Sequence, residues 1–86
     1  MPKVGKKIER VQTGVRIEKR VLQVLKAVAA HREMGLGELI EGIALYSFEG
    51  KPAFRPETLE FIDKMRDAYN LELRAEDSHN LYEDKK

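Results

Sequence analysis

The chain is 86 residues long, has no cysteine and two histidines, and carries a formal net charge of +1. A chain this short holds one domain and buries only a modest part of its unfolded surface. Without thiols, neither a disulfide framework nor a thiolate zinc cage is available, so association with another chain is the remaining way to add stability. With 42% apolar and 36% charged residues, the composition argues against a membrane-spanning chain and against a wholly disordered one.

The charge is unevenly placed. Residues 1–20 hold seven basic side chains against two acidic ones, a net of +5, whereas residues 52–86 hold six basic and nine acidic, a net of −3. A basic head of this kind attracts polyanions.

Residues 1–7 contain Pro2, Gly5 and three lysines with almost nothing to bury, which predicts a flexible basic arm. The arm runs into no apolar h-region, so no signal peptide is expected and a cytoplasmic location follows. From Arg10 to Ile17 the chain alternates: Val11, Thr13, Val15 and Ile17 fall on one face, and Arg10, Gln12, Gly14 and Arg16 on the other. Period two predicts a half-buried strand over about 10–17.

The period then lengthens. Val21, Leu22, Leu25, Val28 and Ala29 form the stripe of an amphipathic helix over about 18–34, with His31 near its negative end. Gly35 interrupts the pattern, and Leu36, Leu39, Ile40, Ile43, Ala44 and Phe48 predict a second helix over about 36–49, stopped by Gly50. Gly42 lies inside that helix, where glycine costs about 1 kcal/mol relative to alanine, which suggests close approach of another helix. Residues 51–70 read as a linker and a third helix over about 56–69, opened by Pro56 and bearing Leu59, Ile62, Met65 and Tyr69 on one face. The remainder, 71–86, is polar and acidic without a sustained period, and partial disorder is expected.

A lone strand before two helices leaves its own amides and carbonyls unpaired. If two copies pair it antiparallel about a two-fold axis, the apolar face closes over four helices and Arg10, Gln12, Gly14 and Arg16 face outward. In this pattern residues 8–50 resemble the ribbon-helix-helix family of the Arc and methionine repressors. The resemblance implies a mainly α fold with one short β-strand, an intertwined homodimer with a two-stranded antiparallel ribbon, and here an additional C-terminal third helix. It implies a dimeric transcriptional regulator, most simply a repressor, that binds double-stranded DNA with the ribbon in the major groove. It places base contacts at Gln12, Gly14 and Arg16 and a phosphate contact at the start of the second helix, Leu36, Gly37 and Glu38. Lys6, Lys7 and Arg10 are expected on the DNA backbone, and Val11, Thr13, Val15, Ile17, Leu22, Leu25, Leu39, Ile40 and Ile43 in the dimer core.

The side-chain chemistry agrees, since arginine bonds bidentately to guanine O6 and N7 and glutamine to adenine N6 and N7. The sequence departs from the family pattern at Gly14, which has no side chain to read a base, and at Glu38, whose charge repels a phosphate at the helix start. An alternative use of the acidic residues 52–86 is capture of a protein partner, as in an antitoxin. No nucleophile–base pair, glycine-rich phosphate loop or metal-ligand spacing appears, so no catalysis, cofactor or metal is expected.

Overall fold

A computed structural model describes residues 5–84. They form three thirteen-residue helices, α1 (Lys19–His31), α2 (Leu36–Phe48) and α3 (Pro56–Ala68), followed by a single 3₁₀ turn at Ala75–Asp77.

The ribbon-helix-helix expectation is overturned: that fold needs a β-ribbon, and there is no strand among the described residues. Residues 10–17, expected as a strand, have no regular secondary structure and are exposed throughout. The alternation Val11, Thr13, Val15, Ile17 is genuine, but a strand exists only when another backbone accepts its hydrogen bonds, and none does so among the described residues. With the strand goes the two-stranded antiparallel ribbon and the intertwined dimer built around it. The expected arm, 1–7, lies partly outside the described residues, as do the last two residues of the tail.

Local chemistry sets the helix limits. Glu18 caps α1 by accepting a hydrogen bond from the Val21 amide at 2.9 Å. The same bond, with help from Arg20, holds the Glu18 carboxyl below the usual carboxylate range against a smaller opposing effect of burial. Pro56 is the first residue of α3, where its missing N–H costs nothing.

All three helices close in one way. Glu33, Gly50 and Asn70 take positive φ, at 55°, 71° and 56°, one residue beyond each C-cap. The following amides then reach back, Met34 to the Ala29 carbonyl at 2.9 Å, Lys51 to Tyr46 at 2.9 Å and Leu71 to Arg66 at 2.8 Å. These are Schellman closures, which glycine and asparagine adopt readily and glutamate adopts at a cost. The first helix therefore ends at His31, three residues short of the expected 34, because the chain turns at Glu33 rather than at Gly35.

Helix α1 lies between α2 and α3, which do not meet each other. Its stripe supplies most of the core: Val24, Val28 and Ala29 are buried, with Leu39 of α2 the only other buried residue described. Leu25, Met34, Ile43, Phe54, Phe61, Ile62, Met65 and Leu71 pack around them. His31, at the end of α1, stacks on Phe61 of α3 with ring centroids 3.9 Å apart.

The core is small for the chain. A compact 9.9 kDa monomer exposes about 5200 Å², and this one exposes 8179 Å². Its radius of gyration is 14.9 Å, against about 12 Å for a compact domain of this length.

Candidate nucleic-acid interface

The residues expected to touch DNA lie on the exposed segment that precedes α1. Residues 5–18 carry four basic and two acidic side chains, a net of +2. Lys6, Lys7, Gln12 and Arg16 are exposed, and a Cβ added at Gly14 would meet nothing within 4 Å. Gly14 thus sits in open space, where its use is close approach of another molecule to the backbone.

Both arginines on this segment are engaged by carboxylates. Arg10 donates from Nε and Nη2 to the two oxygens of Glu41 on α2, at 2.8 and 2.9 Å. This two-point bond raises the Arg10 guanidinium and lowers the Glu41 carboxyl from their usual ranges. Arg16 donates in the same manner to Glu83, from Nε to Oε2 at 3.3 Å and from Nη2 to Oε1. The fork geometry of arginine matches any planar pair of oxygen acceptors, whether carboxylate, phosphate or a guanine edge.

The start of α2 is arranged differently. Leu36 is half-buried and Gly37 exposed on its first turn. Glu38 folds back so that its carboxylate accepts from the Gly35 amide at 3.3 Å. The amide end that would take a phosphate already has an acceptor belonging to the chain, and a fixed negative charge beside it. Arg10 is the residue tied to α2, through Glu41; Gln12, Gly14 and Arg16 lie farther along the same segment.

The residues expected in the dimer core separate into two groups. Leu39 is buried, and Leu22, Leu25 and Ile43 are half-buried within the single chain. Val11, Val15, Ile17 and Ile40 are exposed at 78%, 72%, 36% and 39%, and Thr13 is exposed with them. On α2 the exposure extends to Leu45, Tyr46 and Phe48, the last at 82%. Around Gly42 there is no neighbour within 4 Å of an added Cβ, so no helix of the same chain makes the close approach its presence suggests.

Glu41 and Glu83 are the participants that sequence reasoning missed. The opposition of a basic head and an acidic tail was a signal for Glu83 alone, since Glu41 lies on α2. Among the described residues no group of three metal-ligating side chains comes together, and no helix is long and apolar enough to cross a membrane. No protein-family model matches the chain, and neither the curated proteins nor the solved structures contain a significant match.

Proposed function

We propose that the protein binds double-stranded DNA as a dimer, in the cytoplasm, and regulates transcription, with the basic segment before α1 lying against the duplex. The observation that carries this reading is the segment itself: a +2 run over residues 5–18, exposed from Gly5 to Ile17, with two guanidinium forks that each donate at two points to a planar pair of oxygens. Lys6 and Lys7 supply sequence-independent attraction to phosphates, and Gln12 and Arg16 supply donors suited to base edges. The three-helix body holds the segment; a β-ribbon is not part of the reading.

Self-association is supported by the surface account. The excess of about 3000 Å² over a compact monomer exceeds what one partner contributes to a standard interface, about 800 Å². Ile40, Leu45, Tyr46 and Phe48 place apolar side chains of α2 in that excess. A second copy is the occupant that the DNA reading also requires, since two copies present two basic segments to adjoining parts of a site.

The test is selection of bound sequences from random duplexes at two salt concentrations, followed by titration of Arg16→Ala. A palindromic motif is expected, and Arg16→Ala relaxes the preference at one base pair per half-site by about 1–3 kcal/mol. Unchanged affinity and unchanged preference in Arg16→Ala would sink the reading.

A second reading, capture of a protein partner by residues 52–86 in the manner of an antitoxin, is favoured by Leu59, Leu81 and Tyr82, exposed at 49%, 52% and 90%. Limited proteolysis of the free chain separates the two. A tail that resists cleavage without a partner counts against it.

A further inference from the structure

The amino-terminal segment and the tail carry opposite charge. Against the +2 of residues 5–18, residues 71–86 hold five acidic side chains and three basic, a net of −2. The fold brings the two together. Arg20, in the first turn of α1, donates from Nη1 to the Asn70 carbonyl at 3.0 Å, which ties the beginning of the tail to the beginning of α1. Arg66 of α3 donates to the Leu73 carbonyl at 2.9 Å, and Leu71 packs against the core. From these anchors the tail turns through Ala75–Asp77 and ends with Glu83 on the guanidinium of Arg16, a residue 67 positions earlier in the chain.

We infer that residues 71–84 form an autoinhibitory strap, with the Glu83 carboxylate occupying the donors of Arg16 that duplex DNA must use. The inference rests on the DNA-binding reading of the basic segment. Its physical basis is exclusion: Nε and Nη2 of Arg16 both point at Glu83, and the same two donors cannot at once serve a phosphate or a guanine edge. DNA contact through that edge of the guanidinium therefore requires release of Glu83, and the acidic tail competes with the duplex for the basic segment.

The strength of the strap follows from its exposure. The side chains of Arg16 and Glu83 are 83% and 70% exposed, so the pair is well solvated and screened by salt. It is a brake that a polyanion overcomes, set against a duplex carrying many phosphates. Arg10 has the same two-point bond to a carboxylate, but Glu41 sits on a packed helix, so that pair fixes where Arg10 stands. Glu83 is held at the end of a run, Leu81–Asp84, that is exposed throughout.

The experiment compares the full chain with Glu83→Gln and with Glu76→Gln in fluorescence anisotropy titrations of a short mixed-sequence duplex. Glu76→Gln removes the same charge from the same tail, at a side chain that pairs with no basic group among the described residues. Glu83→Gln is expected to tighten binding about two- to five-fold at low salt, the range one exposed ion pair allows. Glu76→Gln should give less than half of that gain, and the difference should shrink at high salt. Equal effects of the two substitutions, or none from Glu83→Gln, overturn the strap while leaving the DNA reading standing. If no variant binds duplex, the DNA reading falls and the inhibitory role falls with it. The contact has its own readout: the Nε proton resonance of Arg16 should move in Glu83→Gln and stay in place in Glu76→Gln, and a resonance unmoved by Glu83→Gln also overturns the strap.

Discussion

Helices α1 and α2 are each thirteen residues long, and they use their apolar side chains in opposite ways. In α1 a narrow stripe is enough to bury Val24, Val28 and Ala29, because α2 packs on one side of it and α3 on the other. Helix α2, LGELIEGIALYSF, has bulkier apolar side chains and buries only Leu39. Burial is set by the number of neighbours a helix has, and α2 has one. Ile40, Leu45 and Phe48 are then left facing water, at a cost that a partner surface would remove.

The contrast is broken most severely at Val28 of α1, 2% exposed and the most deeply buried residue described. Val28→Ala removes two methyl groups from a site enclosed by both neighbouring helices, and should destabilise the fold by about 2 kcal/mol in urea denaturation. Phe48→Ser makes the opposite test on α2. Because Phe48 is 82% exposed, its loss should change the stability of the isolated chain by less than about 0.5 kcal/mol. If α2 is the seam between two copies, the same substitution should weaken self-association at least about ten-fold in sedimentation equilibrium, the scale of one lost aromatic anchor. A wild-type chain that sediments as a monomer at all concentrations would refute the seam.

How far the sequence disclosed these features depends on how local each one is. Pro56 and Gly50 announce the start of α3 and the end of α2 through restrictions on their own backbones. The end of α1 was misplaced because Gly35 advertised a stop, whereas the turn is made two residues earlier by Glu33, which carries no such mark. The strand over 10–17 was misread for a deeper reason. Period two says which side chains would share a face of an extended backbone, and is silent on whether another backbone stands beside it. The carboxylates on Arg10 and Arg16 come from 31 and 67 positions away, and such pairings leave no periodicity to detect. The uneven charge of head and tail hinted at the second of them only, since Glu41 lies outside the tail.

The helix ends sharpen the comparison on a smaller scale. Helix α2 closes on Gly50, α1 on Glu33, and both residues have positive φ. A left-handed conformation costs a residue with a side chain about 1–2 kcal/mol, offset in part by the greater freedom glycine has when unfolded. Glu33→Gly should therefore stabilise the chain by about 0.5–1 kcal/mol in thermal denaturation, and a lower melting temperature would show that the Glu33 side chain contributes something its exposed position does not suggest. Gly50→Ala should act in the reverse direction by a similar amount.

The smallest effect expected is electrostatic, and it again distinguishes α1 from α2. Glu18 caps α1 with its carboxylate, while the cap of α2 is Gly35, which has no side chain to offer. The Glu18 carboxyl is held below its ordinary value of 4.5, first by the Val21 amide. A carboxyl depressed in the folded state binds its proton more readily when unfolded, so its contribution is complete above that value and is lost as pH falls through the lower, folded one. The melting temperature should accordingly be level near neutrality and decline below about pH 4.5. Glu41, lowered by Arg10, adds to the decline in the same direction. In Glu18→Gln the amide oxygen can still accept from Val21, but the favourable charge at the helix start is gone. That variant should be less stable by about 0.5 kcal/mol at pH 7 and should lose less on acidification, so the two melting curves converge at low pH. Parallel curves would mean that Glu18 caps α1 by geometry alone and that its charge is immaterial.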